Sequence, residues 1–219
     1  MMNSTIFRMT RKALFLTVLI VSLFITIICV HADEETKIPF PDLIADLAQE
    51  GLVPDTTGQY ISFGDFEDSY ANMGYCSVTP LLESERFVFS ADISWSSGNQ
   101  TPTSTYSGCG VVFNAAGDST DHLMVSRRMD GSLYISGSRG YNNLSYAKFP
   151  YAIPSIVGET NLVLVVNGSE AAVYLDGQKK SHRHDLPVWG DTVGLAVLSG
   201  TYQDFGTRCV FKDIEFYIW

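Results

Sequence analysis

Six aromatic residues stand in stretches otherwise rich in Ser, Thr, Asn and Gly: Tyr106, Tyr141, Tyr146, Tyr151, Trp189 and Tyr202. Arg139, Asn142, Asn143 and Asp204 lie close to them in the chain. A sugar ring presents an apolar C–H face that stacks on an exposed aromatic plane. Its hydroxyls need amide, guanidinium or carboxylate partners. The pattern therefore points to carbohydrate recognition, with Tyr106, Arg139, Tyr141, Asn142, Trp189, Tyr202 and Asp204 as candidate contacts. The competing reading is that the aromatic rings only cap the edge of a core.

Other groups offer weaker chemistry. Asn114, Asp118 and Asp121 place three hard oxygen donors within eight residues, the ligand type calcium takes. Their spacing is not that of an EF-hand loop, and the same residue types make ordinary turns. Calcium here is the one cofactor the residues suggest. His182, His184 and Asp185 occur in Ser-His-Arg-His-Asp, and a His-x-His pair binds zinc when both rings face one way. Lys179, Lys180 and Arg183 crowd that segment with positive charge, so it reads as a solvated loop. Glycoside hydrolysis needs two carboxylates on opposite sides of the scissile bond. Glu83-Ser-Glu85 and Asp213-Ile-Glu215 are the nearest approach, and the second reads as a solvated strand face. No Gly-x-Ser-x-Gly elbow is present. No catalytic residue is assigned, and the expectation is a non-enzyme.

Residues 1–32 read as an export signal. Arg8, Arg11 and Lys12 precede an uncharged apolar run from Ala13 to Val30, and Val30-His31-Ala32 resembles a cleavage site. The run is long enough that an uncleaved membrane anchor is the rival reading, and a lipidated Cys29 is a third. All three place the rest of the chain outside the cytoplasm, secreted or at the cell surface. That remainder is 187 residues, enough for one domain. The whole chain carries −10, and losing three bases and no acids with residues 1–32 takes it to −13. Such charge argues against nucleic acid and against anionic lipid surfaces. Membrane contact is expected only through the N-terminal segment. Cys76, Cys109 and Cys209 remain in an oxidising compartment, enough for one disulfide. Cys109 with Cys209 is favoured because each opens a strand; Cys76 with Cys109 is the alternative.

The positioning elements are strands. Phe87, Phe89, Ala91, Ile93 and Trp95 share one parity, and Val88, Ser90, Asp92 and Ser94 the other, predicting one buried and one wet face. Asp130-Gly131, Asn167-Gly168 and Asp176-Gly177 mark tight hairpin turns. The alternation continues to Trp219, giving ten to twelve strands and no βαβ pattern. Residues 33–56 read as a linker with a short helix from Pro41 to Gly51. Residues 57–219 read as an all-β, two-sheet antiparallel sandwich, with 137–155 as an aromatic-rich loop. Asn99, Asn143 and Asn167 open glycosylation-type Asn-x-Ser/Thr triplets in expected loops or turns.

From about residue 85 the order of parts resembles the concanavalin-like, laminin-G-type jelly rolls. The strand Phe87–Trp95 is followed by Ser107-Gly-Cys-Gly-Val-Val-Phe113, then by a hairpin closing on Asp-Gly. Asn161-Leu-Val-Leu-Val-Val-Asn-Gly168 leads into Val173-Tyr-Leu-Asp-Gly177, and Val193–Val197 and Phe211–Phe216 complete the series. The resemblance implies a jelly-roll sandwich and a class that spans sugar binders, adhesion modules, calcium-dependent modules and hydrolases. The expected function is an exported recognition domain binding carbohydrate or a glycosylated surface through loop aromatics. A structural or adhesion module with a protein partner is the second expectation, and a glycoside hydrolase the third.

Overall fold

Alternation within single strands builds the core. The computed structural model describes residues 39–98, 106–117, 120–140 and 142–219. Among the described residues, one helix, α1 (Phe40–Gln49), precedes thirteen strands. These are β1 (Gln59–Phe63), β2 (Phe66–Tyr70), β3 (Tyr75–Glu83), β4 (Arg86–Ser97), β5 (Gly108–Ala115), β6 (His122–Arg128) and β7 (Ser132–Arg139). The rest are β8 (Asn142–Pro150), β9 (Val157–Asn167), β10 (Glu170–Leu175), β11 (Gln178–Arg183), β12 (Thr192–Ser199) and β13 (Thr207–Ile218). One sheet runs β1-β13-β4-β9-β10-β11, with β2 also paired to β13; the other runs β3-β12-β5-β6-β7-β8. Every pairing is antiparallel.

The two inner faces supply one core. Phe87, Phe89, Ile93 and Trp95 of β4 meet Val111 and Phe113 of β5, Leu123 and Val125 of β6, and Phe211 and Phe216 of β13. The Cys109–Cys209 disulfide joins the sheets through this core, with Cα atoms 5.8 Å apart, and Cys76 is the free thiol. The favoured pairing is thus the one the fold makes. Asp176 and Gly177 both adopt positive φ, the geometry of a tight hairpin turn, and Gly131 and Gly168 do so in the other two turns.

Three features differ from the reading of the residues. The second parity of β4 is not uniformly wet: Val88 and Ser90 are buried. Phe40, Ile44 and Leu47 of α1 pack on Val88, Val163, Val165 and Ala172, so the helix dries the outer face of that sheet. The chain then returns past Trp219, whose Nε1 donates to Asp55 (3.2 Å). Second, residues 142–150 are not loop but β8, paired with β7, and Asn143 is an exposed strand residue. Third, His182 lies in strand β11, paired with Ala172, so the Ser-His-Arg-His segment is only partly loop.

The register gives the sandwich two distinct ends. Ser97, Thr207, Val157 and Leu175 finish at one, with Gly108, Arg128, Ser132 and Leu198; this is called the upper end. Arg86, Asn167 and Ile218 lie at the lower end, with Ala115, His122 and Arg139.

Candidate functional site

Strand direction divides the candidate sugar contacts between the two ends. Tyr106 precedes β5, and Tyr202 and Asp204 lie between β12 and β13, all at the upper end. Arg139 and Asn142 close the β7–β8 hairpin at the lower end. Trp189 is also there, its backbone N–H donating to Asn114 O (3.3 Å). Tyr141 lies outside the described residues. No single rim carries all of them. Trp189 is half-buried and packs on the main core, as do Tyr146 and Tyr151.

The upper end is the aromatic one. Among the described residues, nine large apolar side chains are exposed, and seven of them are there: Met73, Tyr75, Tyr106, Ile153, Val157, Tyr202 and Phe205. Four of these are rings, Tyr75 at 64%, Tyr106 at 56%, Tyr202 at 65% and Phe205 at 42% exposure. The 200–206 loop holds its two rings outward through local bonds. Gln203 N–H donates to Thr201 Oγ1 (3.0 Å), and Gly206 N–H to Gln203 O (2.8 Å). Asp204 and Gly206 take positive φ, and any side chain at 206 would strike the backbone of Tyr70 and Ala71.

Beside these rings, the outer face of the β3–β8 sheet carries a stack of cations on an aromatic. Arg128 lies 4.0 Å above the Tyr134 ring centroid, and Lys148 Nζ is 4.9 Å from the same centroid. Lys148 also pairs with Asp130 at 3.2 Å, and Arg128 Nε donates to Ser126 Oγ (3.2 Å). Burial pulls the Arg128 pKa down, against the opposing influence of Tyr134, Asp130, Tyr106 and Cys76 around it. Beneath, on the inner face, Arg127 stacks between Trp95 (5.1 Å) and Tyr151 (5.5 Å), and burial lowers its pKa too. The Tyr151 hydroxyl donates to Asp176, whose other oxygen receives Thr160 Oγ1 (3.0 Å) and Asn161 N–H (2.8 Å). The upper end is therefore a set of exposed rings on a supported, cation-bearing floor. Such a surface can stack apolar sugar faces and hydrogen-bond hydroxyls.

The sequence reading missed Tyr75, Phe205 and the Arg128–Tyr134–Lys148 stack. Arg128, Tyr134 and Lys148 sit on the same sheet face through the pairings Ser126↔Tyr134 and Tyr134↔Lys148. Only the register reveals this, although the Asp130-Gly131 turn fixes half of it.

Around the turn after β5, Asn114 and Asp121 bond the main chain. Buried Asn114, at positive φ, donates from Nδ2 to Gly168 O (2.9 Å) and Pro187 O (3.3 Å), tying the lower end together. Asp121 Oδ1 accepts from Gly140 N–H (2.7 Å), and Asp118 lies outside the described residues. Glu215 accepts the Tyr60 hydroxyl (2.9 Å). At the lower end, Glu170 receives both His182 and His184. The His184 hydrogen bond is the main reason its carboxyl lies below the ordinary value.

No protein-family model matches the chain, and no curated protein matches it. Solved structures do. A carbohydrate-binding module from Bacillus subtilis superposes with a TM-score of 0.55 at 13% identity, over 71% of this chain and 94% of that one. A fructosyltransferase from A. japonicus aligns at 0.51 and 11% identity, over 80% of this chain and 28% of the enzyme. A β-fructofuranosidase from Aspergillus kawachii aligns at 0.50 and 13%, over 78% and 29%. This chain thus matches nearly all of the first protein and less than a third of each enzyme. At these identities the likeness shows the fold alone, a two-sheet antiparallel β-sandwich.

Proposed function

We propose that this chain is an exported, non-catalytic recognition domain that binds carbohydrate at its upper end. The observation that carries the reading is the grouping of Tyr75, Tyr106, Tyr202 and Phe205 at one end, beside the Arg128–Tyr134–Lys148 stack. Exposed rings cost solvation unless something covers them, and rings beside cationic donors suit a polyhydroxylated ligand better than an apolar one. The Bacillus subtilis protein of the same fold is by name a carbohydrate-binding module, which supports the class. The two enzymes are by name fructosyl-handling, so fructans belong among the test ligands. The disulfide, and the signal- or anchor-like sequence of residues 1–32, support export. Residues 39–219 act as the domain, which is consistent with their forming one compact unit.

A glycan array on the purified protein, fructans included, with calcium and with chelator, tests the reading. Saturable binding to one glycan class is expected. Tyr106→Ala and Tyr202→Ala should each weaken it without changing the melting temperature, since both rings are exposed. Unchanged affinity in both variants removes these rings from the site. A second reading, a protein-binding adhesion module, draws on Met73, Ile153 and Val157, which extend the patch with aliphatic surface. A blank array on folded protein transfers the weight to it.

A further inference from the structure

We propose that Glu170, His182 and His184 form a binding site for zinc or a divalent ion of similar preference, at the lower end and away from the aromatic surface. The nitrogen and oxygen donors of the three residues lie within 4.8 Å of one another. His184 Nδ1 is 3.0 Å from Glu170 Oε1, His182 Nε2 is 3.8 Å from Oε2, and the two imidazole centroids are 4.3 Å apart. Zinc takes imidazole nitrogen and carboxylate oxygen at about 2.0–2.2 Å in tetrahedral sites, so a contraction of roughly an ångström closes the triangle around an ion. The side chains are 46%, 31% and 56% exposed, which leaves them free to make that adjustment.

The backbone brings the three donors together. Glu170 opens β10, and His182 pairs across from Ala172, two residues on from Glu170 and on the same outer face. His184 follows β11 by one residue. Asp185 then takes positive φ, and the Leu186 N–H donates to Ser169 O (2.8 Å), pinning the chain back beside Glu170.

The cations of the segment are bonded outside the triad, and one of them is neutralised by an opposite charge. Lys179 pairs with Glu50 at 3.0 Å, Lys180 lies over Tyr151 and bonds Gln178, and Arg183 donates to Tyr146 O at 2.7 Å. Each cation of β11 is thus engaged with a group outside the triad. Two imidazoles and one carboxylate select zinc, nickel or copper over calcium and magnesium, which prefer all-oxygen shells. Three protein ligands leave one position for water. Bound metal would clamp the end of edge strand β11 to the start of β10.

The test is calorimetric titration of zinc chloride into untagged full-length protein, with calcium chloride as the control and with thermal melts of the same samples. One saturable zinc site per chain and a higher melting temperature with zinc are expected, with no calcium effect. Glu170→Gln and His184→Ala should each weaken zinc binding about tenfold or more while melting normally without metal. Nuclear magnetic resonance should show zinc moving the imidazole signals of His182 and His184 and not that of buried His122. Absence of saturable binding overturns the proposal. So does binding that persists in the His182→Ala, His184→Ala double variant, or zinc shifts confined to His122.

Discussion

Gly158 is the cross-strand partner of Trp95, and the indole lies over it. A β-carbon at 158 would stand 2.9 Å from Trp95 Cε2 and closer still to Cζ2. The ring is also held by Arg127, 5.1 Å from its centroid, and by its own Nε1–H donation to Ser155 O (3.2 Å). Gly158→Ala should therefore cost about 1–3 kcal/mol by overpacking. Urea unfolding reads the midpoint, and an unshifted midpoint would mean that the indole moves aside freely.

The strand register of β4 makes a paired prediction. Ile93 is fully buried, and an aspartate there would place an unpaired charge in the core, costing several kcal/mol. Asp92 faces outward and accepts from Asn161 Nδ2 at 2.7 Å. Asp92→Asn should cost about 1 kcal/mol, the worth of a weakened hydrogen bond. Equal losses in thermal melts would overturn the register.

Trp189 separates stability from binding. It packs half-buried on the core at the end opposite the exposed rings. Trp189→Ala should destabilise by about 2 kcal/mol, less than the ~3–5 kcal/mol of a fully buried tryptophan. It should leave carbohydrate affinity unchanged in the same titration that detects Tyr202→Ala.

Asp55 confers acid sensitivity. Its carboxylate accepts from the Thr57 hydroxyl and the Thr57 N–H, both at 2.7 Å, and from Trp219 Nε1. These bonds, the hydroxyl's foremost, hold its pKa below the ordinary 3.8. A depressed folded pKa adds stability that is present above the unfolded value and lost as pH falls through the folded one. The gap in melting temperature between the wild type and Asp55→Asn should therefore narrow as the pH falls through the ordinary value of 3.8 and below it. A gap that is constant over that range would exclude the linkage.

The disulfide closes a sequence separation of 100 residues. Its removal in the Cys109→Ala, Cys209→Ala double variant should cost about 2–5 kcal/mol, read by chemical denaturation. Cys76 should label slowly in the native protein, because burial raises its thiol pKa above the ordinary range. Rapid native labelling would show that β3 opens.

Legibility in the sequence followed solvent exposure. Strands at the centre of a sheet, such as β4 and β9, announce themselves through Phe87–Trp95 and Leu162–Val166. The strands missed are all at sheet edges. β2 (Phe-Glu-Asp-Ser-Tyr), β8 and β11 (Gln-Lys-Lys-Ser-His-Arg) each pair on one side only. Edge strands are commonly polar and charged, so the residues that protect them from association also erase their periodicity. Leu162–Val166 did carry a signal for α1, since apolar residues on both parities mean a strand covered on both faces. The candidate site was half legible. Tyr106 and Tyr202 are at the aromatic end and Arg139 and Trp189 are not, because which end a loop reaches depends on strand direction. Glu170 could not be joined to His182 and His184 without the β10–β11 pairing.

The Cys109–Cys209 bridge also has a mechanical meaning. If the domain holds a fixed ligand outside the cell, as proposed, it is pulled on. Force that unravels the chain from either end must stop at the bridge. The chain between the two cysteines, a separation of 100 residues, would span about 330–360 Å if fully extended. That length is withheld from extension while the bond is intact, so the chain from Cys109 in β5 through β12, with the Tyr202 loop, does not pay out under load, whereas Tyr106 lies three residues outside the bridge.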